Sequence, residues 1–414
     1  MNSRVTRREL AAGLGALGAM GGVAGPALAQ DAPPSAIDRL TGEGRYLPLW
    51  RETTGTLPKG FNIQWASFVG EEAVALSGRN PPLEDTLSAE ATARDAVAAI
   101  VEASRGRRVV MLNESHSASR HRLFLARVAR ALRPEGFEIL AAETFANNTT
   151  GLRPGVRGLK AGDPFNPGDG YYTHDPIFAD TAREALDLGY RLAAYEQRSD
   201  QFDGALKGAE AIARREVSQA DNLAALLEAN PSSRVLVHVG FSHLRKTPDW
   251  AGNLWLAARF KDKTGIDPLC VSQAYTGAFA PHGQDQPLTQ AVLARFAPTA
   301  PIIVTAGGKS LAAAMAGADM AVFHPSLPDV DGRPGWLAAD KVRKRVVVAV
   351  PRRAVGEVVI VQAIHAGEPE RAVPADQHVL AKDETRAVLF LRPGNYRLRV
   401  ESEAGFVGLK TARV

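Results

Sequence analysis

The sequence predicts an α/β protein: a mainly parallel, doubly wound sheet with helices on both faces, followed by a small C-terminal β-sandwich. Three observations carry that expectation. With 414 residues, 45% of them hydrophobic, the chain can bury a large core and form more than one domain. From residue 107 onward, short apolar or β-branched runs alternate with amphipathic helical stretches, the pattern of strands joined by crossover helices. Beyond residue 342 the helical period disappears, and alternating strands punctuated by turn residues take over.

In chain order, residues 1–29 read as an export signal. Adjacent Arg7 and Arg8 lead a Gly/Ala-rich apolar run from Ala11, and Ala27-Leu28-Ala29 offers a small-residue cleavage site. The Thr-Arg-Arg-Glu-Leu spacing is that of a twin-arginine signal. The run is short and gives way to QDAPPS, so cleavage rather than a stable membrane anchor is expected, with a soluble periplasmic or secreted product. The single cysteine, Cys270, leaves no intramolecular disulfide to form. Residues 30–106 are less periodic and read as an N-terminal extension packed on the main domain.

Residues 107–341 carry the α/β pattern. Strands at RRVVML, EILAAE, RLAAYE, RVLVHV and DPLCVSQ are separated by helices near 118–132, 177–189, 204–229 and 249–261, and PIIVTA and ADMAVFH add two strands. Gly308-Lys309-Ser310 follows a strand, but Ile303 stands where a phosphate-binding loop has its leading glycine, so nucleotide binding is not expected. Residues 342–414 hold KRVVVAVP, GEVVIVQAI, RAVLFLRPGNYRLRVES and GFVGLKTARV, with PGNY as a hairpin signal. A packing or spacer role is expected for this sandwich, and its sequence names no partner. The net charge of +4 comes from basic residues scattered among acids, which offers nucleic acid no stripe to follow.

In an open α/β sheet, ligands sit outside the carboxyl ends of the strands. There the sequence places Glu114 and His116 after the first strand, Glu143 after the second, Glu196 after the third, and Gly240-Phe241-Ser242-His243 after the fourth. Each alone has a bland reading: Ser115 or Ser117 as a helix N-cap, Glu114 as a first-turn acid, a strand-end histidine as structural. With the first strand central and the second and fourth flanking it at about 4.8 Å, Glu143 and His243 stand on either side of His116. Such a trio can hold zinc, manganese or iron with a position open for water, or, without metal, can form an oriented general base. Gly240 suits either, because a residue without a side chain lets the backbone approach a ligand closely. His238 lies inside its strand and is read as structural.

Asn113-Glu114-Ser115-His116, a strand-end Glu143, the Arg215-Glu216 pair in RREVSQADNL, and Gly240-Phe241-Ser242-His243 follow one another in an order that resembles the superfamily of erythromycin esterases, ChaN-type haem-binding proteins and the Tiki/TraB group. The resemblance spans about residues 107–275 and leaves the sandwich uncovered. It implies hydrolytic chemistry in some members and haem or metal handling in others. Carried over, it makes His116 a general base or ligand, Glu114 and Glu143 its acidic partners, His243 the second imidazole, and Arg215 a contact to negative charge. Asn113 stands where the family usually has glycine.

Residues 147–176 form a long loop carrying Tyr171, Tyr172 and His174, read as a lid over the site. The expected function is an exported hydrolase of an ester or amide bond in a small molecule or peptide. Its water is activated by His116, or by a divalent metal (Zn, Mn or Fe) between His116, Glu143 and His243. The alternative is a haem- or iron-binding uptake protein with an axial ligand from Tyr171, Tyr172 or His174. A third reading is an inert scaffold whose rim residues form a structural ion-pair network.

Overall fold

The computed structural model describes residues 36–54, 62–70, 83, 85–147, 156, 158–276, 286–350, 357–381 and 384–414. The export signal therefore lies outside the described residues. Among the described residues the first elements are three short helices, α1 (Ala36–Leu40), α2 (Leu47–Thr54) and α3 (Asn62–Phe68), then β1 (Thr92–Asp95) and α4 (Ala96–Ser104). The α/β run follows: β2 (Val109–Glu114), α5 (Ser119–Leu132), β3 (Phe137–Ala142), α6 (Pro176–Asp187), β4 (Arg191–Ala194), α7 (Gly208–Glu228), β5 (Arg234–Gly240), α8 (Leu256–Thr264) and β6 (Leu269–Ser272). Helix α9 (Pro287–Phe296) and strands β7 (Ile302–Ala306), β8 (Lys309–Ser310) and β9 (Met320–Phe323) complete the first part.

These strands form one mixed, mostly parallel sheet in the order β1-β7-β9-β6-β2-β5-β3-β4, with β8 paired to β7. Strands β6, β2, β5, β3 and β4 are parallel neighbours, while β7 runs antiparallel to both β1 and β9. Successive residues of the central strands enter opposite cores. Val110, Leu112, Leu140 and Leu236 pack with Phe124, Leu125 and Phe178 from α5 and α6, whereas Val109, Met111, Ile139 and Val237 pack with Leu223, Leu256 and Phe260 from α7 and α8. That two-residue alternation is why both strand faces are apolar.

The structure adds to or departs from expectation in several places. The central strand of the β2, β5, β3 trio is β5, the fourth of the expected parallel strands, and the other neighbour of β2 is β6. Strand order is set by crossover packing, which the residues of one strand do not encode. Helix α8 begins at Leu256 instead of near 249, because Asp249 Oδ1 accepts the Ala251 and Asn253 amides at 2.9 Å each and turns the chain first. The extension enters the sheet, with β1 pairing β7 and Asp95 capping α4 through the Ala98 amide at 2.9 Å. Gly307 and Gly308, at φ 55° and 76°, turn β7 into β8 as a hairpin.

The C-terminal part comprises β10 (Lys344–Ala349), β11 (Val359–His365), β12 (Asp376–Leu380), β13 (Arg386–Leu391), β14 (Asn395–Ser402) and β15 (Gly405–Arg413). They make two antiparallel sheets, β10-β13 and β12-β11-β14-β15, around a shared core that includes Val361, Leu389, Leu391 and Tyr396. PGNY therefore carries the chain from one sheet to the other and is not the hairpin expected; the Tyr396 hydroxyl donates to the Arg392 carbonyl at 2.9 Å to fix that corner. Nor is this part a loose spacer. Arg183 forks onto buried Glu368 at 2.7 and 2.6 Å, and Asp180 of α6 accepts from Arg343 at 2.6 Å and Arg392 at 3.1 Å. The Tyr46 and Leu47 amides donate to Glu401 at 2.7 and 3.1 Å, so the N-terminal helices are tied to β14 as well.

Candidate active site

The carboxyl ends of β2, β5 and β3 lie side by side, with Glu114 opposite Gly240 and Ala142 opposite His238. Glu114 ends β2 with its carboxylate buried. Arg122, eight residues on in α5, donates to both its oxygens at 2.8 and 3.1 Å, to the His116 carbonyl at 2.8 Å, and to Asp175 at 2.7 Å. Burial pushes the Glu114 carboxyl up, but Arg122 and the His116 contact outweigh it and hold the group well below the usual carboxylate range. Asp175, which burial raises above its ordinary value in spite of Arg122, also caps α6 through the Ile177 amide at 3.0 Å.

An ionised Glu114 can only accept, so His116 Nδ1, 2.9 Å from Glu114 Oε1, donates to it. That fixes the tautomer and leaves the Nε2 lone pair available. The imidazole is stacked on Tyr172, ring centroids 4.3 Å apart and planes within 11°. A Cβ placed on Gly240 would stand 2.8 Å from His116 Nε2 and 2.9 Å from Glu143 Oε2. Both groups therefore lie over the glycine, and any other residue there would displace them.

Glu143 Oε2 accepts the Gly240 amide, and Oε1 accepts from Arg215 at 2.5 Å. Arg215 also binds Glu196, through Nε at 3.0 Å and through Nη2, and Gln219 donates to Glu196 at 2.9 Å. Burial raises the Glu143 carboxyl, yet His243, Arg215 and His116 together hold it well below the usual range. His243 stands opposite. Its Nδ1 is 2.7 Å from Glu216 Oε1, and its Nε2 is 3.5 Å from both Glu143 Oε1 and Arg215 Nη1. Burial lowers the His243 imidazole, but Glu143 and Glu216 overcome that and raise it above the ordinary histidine value. His238 reaches 3.7 Å from Glu114 Oε2 beside Phe178, and burial pushes it down to about 4, so it is neutral at pH 7.

Every rim residue expected from the sequence thus enters one cluster: Glu114, His116, Glu143, Glu196, Arg215 and His243. The lid residues divide. Tyr172 joins the site, its phenol pushed up by burial and by Glu143 and Glu114. Tyr171 accepts from Trp65 Nε1 at 2.9 Å, and His174 Nδ1 meets the Thr41 hydroxyl at 2.8 Å while its carbonyl accepts the Tyr46 hydroxyl at 2.6 Å. Both are thereby committed to holding the N-terminal helices; residues 148–155 and 157 of the loop lie outside those described. Asn113 needs no glycine-like turn. Its amide donates to the Phe241 carbonyl at 2.7 Å and accepts the Gln273 amide at 2.7 Å, bracing β2 against the chain leaving β5 and β6.

The His116, Glu143 and His243 donors do not fit a cation. The guanidinium of Arg215 bonds Glu143 Oε1 and stands 3.5 Å from His243 Nε2, a fixed positive charge already against two of the three donors. Among the described residues no group of three His, Cys, Asp or Glu side chains is disposed to hold a metal ion. Arg122 was not among the residues expected at the site, and Glu216 was quoted beside Arg215 without a role, although a signal existed for both. Arg122 falls on the buried stripe of Leu125, Ala129 and Leu132, and Glu216 on that of Ala220, Leu223 and Leu227. A charge on an apolar helical stripe must be paired to be buried, and so points at a partner.

No protein-family model matches the chain, and no curated protein does. Among solved structures it is similar to the type III effector HopBA1, at 12% identity and TM-score 0.32 over 59% of this chain and 99% of that one. A MARTX toxin effector domain from Vibrio vulnificus, RRSP, gives 14% identity and TM-score 0.29 over 58% of this chain and 40% of that one. The C-terminal region of Pasteurella multocida toxin gives 11% identity and TM-score 0.27 over 89% and 52%. The chain thus spans under two thirds of the latter two, and similarities this low carry no argument about its activity.

Proposed function

We propose that the protein is a hydrolase of an ester or amide bond in which the Glu114–His116 pair activates water without a metal. The observation that carries this reading is the disposition of His116. Its Nδ1 is taken up by buried, ionised Glu114, and its Nε2 stands beside Glu143 in the space that Gly240 leaves clear. An imidazole with one nitrogen oriented by a carboxylate and the other open is the geometry general-base catalysis needs. Arg122 holds Glu114 so that the ring cannot turn, and Tyr172 supports its face. Water gives a proton to His116 Nε2 as its oxygen attacks the carbonyl carbon, and Arg215 supplies fixed positive charge for the oxyanion.

The haem-carrier alternative has less support. Tyr171 and His174, two of its three candidate axial ligands, are occupied by Trp65 and Thr41, and the third, Tyr172, is stacked on His116. Helix pairs α5, α6 and α7, α8 pack on opposite faces of the parallel strands, which supports a doubly wound reading of that part of the sheet. Placement in the periplasm or outside the cell is proposed from residues 1–29 alone; no described helix is long and apolar enough to cross a membrane.

The test is a panel of esters and amides assayed with the parent protein, His116→Ala and Glu114→Gln, alongside a haem titration. His116→Ala is expected to lower kcat/KM by about 10²- to 10⁴-fold, with no sharp Soret change at stoichiometric haem. An inert parent, or turnover indifferent to His116, defeats the proposal.

A further inference from the structure

Hydrolysis needs a proton donor as well as a base, and the cluster holds a second histidine–carboxylate pair that the water-activating step leaves unused. His243 follows β5 by three residues, and its ring is buried between the site and α7. Four side chains face it: Glu143 from the end of β3, Arg215 and Glu216 from α7, and Trp255 from the turn before α8, ring centroids 5.7 Å away. Of these, Glu216 reaches Nδ1, the nitrogen turned away from the site.

Glu216 is itself rigidly held. It is 1% exposed, lies on the buried stripe of α7, and its second oxygen accepts the Leu256 amide at 2.7 Å, where α8 begins. That bond matters because the residue before Leu256, Trp255, offers no side-chain cap to α8, so the carboxylate serves as the helix's anion and is fixed by it. The 2.7 Å approach of Glu216 Oε1 to His243 Nδ1 falls short of an aligned hydrogen bond, leaving both atoms otherwise unsatisfied in the interior. Among the described residues no hydrogen-bond partner is in place for either atom, which leaves each to the other.

We propose that Glu216 is the positioning residue of His243, and that His243, oriented through Nδ1, donates the proton on Nε2 to the leaving group. This rests on the hydrolase reading. In the full sequence water attacks the carbonyl carbon and its proton passes to His116 Nε2. The tetrahedral adduct then collapses, breaking the bond to the leaving oxygen or nitrogen. That atom takes the proton from His243 Nε2, for which Arg215 Nη1, a donor only and 3.5 Å away, must turn from that nitrogen toward the oxyanion, and departs neutral. His116 ends protonated and His243 neutral, and exchange with solvent restores both, so the net change is addition of one water across the bond. The two imidazoles divide the work, each with a buried carboxylate on its far nitrogen.

The experiment compares two esters of one acid, a p-nitrophenyl ester and an alkyl ester, in the parent, Glu216→Gln and Glu216→Asp. An alkoxide needs protonation to leave and p-nitrophenolate does not. Glu216→Gln is therefore expected to lower kcat for the alkyl ester by about 10²-fold while changing p-nitrophenyl ester turnover much less, with partial recovery in Glu216→Asp. Equal losses on both esters mean that Glu216 only supports the fold, and overturn the acid role. Histidine-labelled NMR supplies a readout independent of turnover: in Glu216→Gln the ring nitrogens of His243 shift and those of His116 do not. Unshifted His243 nitrogens overturn the positioning role whatever the kinetics. A parent that hydrolyses neither ester defeats the hydrolase reading and the acid role with it, and the NMR comparison still decides whether Glu216 holds His243.

Discussion

Two regions of this protein bury charge, and they do so in opposite ways. At the seam between α6 and the C-terminal sheets, each buried carboxylate meets a guanidinium: Asp180 faces Arg343 and Arg392, Glu368 faces Arg183, and Asp376 faces Arg333. At the strand ends, four carboxylates, Glu114, Glu143, Asp175 and Glu196, share two guanidiniums, Arg122 and Arg215, and a fifth, Glu216, faces the ring of His243. The imidazoles of His116 and His243 stand against the carboxylates that the guanidiniums leave in excess. The seam has its charges matched and its geometry closed, which fixes how the parts dock. The rim is left short of permanent positive charge, with two imidazoles beside the excess. Burial of charge is thus no sign of function by itself; an excess of one sign beside titratable rings is what makes the rim the candidate.

That contrast can be broken at the seam first, where the largest stability effect is expected. Asp180→Ala leaves Arg343 and Arg392 buried without their shared counter-ion and should cost about 3–5 kcal/mol in a urea titration, with turnover per folded molecule unchanged. The same carboxyl gives a pH signature. Burial raises it, but Arg392, Arg343 and His365 prevail and hold it well below the usual aspartate range. Its folded value is depressed, so its contribution is complete above the ordinary aspartate pKa and is lost as pH falls toward the folded one. The parent's urea midpoint should therefore fall more steeply on acidification than that of Asp180→Ala. Loss of turnover in a stably folded Asp180→Ala would erase the division between the two regions.

Gly240→Ala sharpens the comparison from the other side. Its methyl would meet His116 Cε1 at 2.7 Å and Glu143 Oε2 at 2.9 Å, so a stability cost of about 1–3 kcal/mol is expected. Displacing the base should lower kcat by up to about 10²-fold, more than the thermal midpoint alone would suggest. Full activity in Gly240→Ala would show that the ring and carboxylate over Gly240 are free to move and that the site is not preorganised. The smallest effect is expected from Tyr172→Phe, which keeps the ring stacked on His116 and removes only the hydroxyl. A change in kcat within about fivefold, or about 1 kcal/mol, is expected; a loss like that of His116→Ala would make the phenol a participant in the chemistry.

Much of this was legible in the sequence. The period of the apolar runs gave the parallel strands and their helices, because burial on both faces leaves that pattern wherever the strands end up in the sheet. The rim residues Glu114, His116, Glu143 and His243 were legible for a related reason: a chemistry-bearing side chain just past an apolar strand has only the strand-end face to occupy. Order was not legible. That β5 stands between β2 and β3, so that Gly240 carries His116 on one side and Glu143 on the other, depends on how the crossover helices pack, which no single strand records. Partnership was not legible either. Arg122 on Glu114, Glu216 beside His243, and Arg215 on Glu143 are contacts between different elements that the residues of no single element record. The sequence by itself determined which groups reach the rim, through the local rule that apolar runs are buried and polar ends are not. Only the tertiary structure decided which charges each of them faces, because the neighbours within a few ångströms, which govern the protonation of a carboxylate or imidazole, are set by packing.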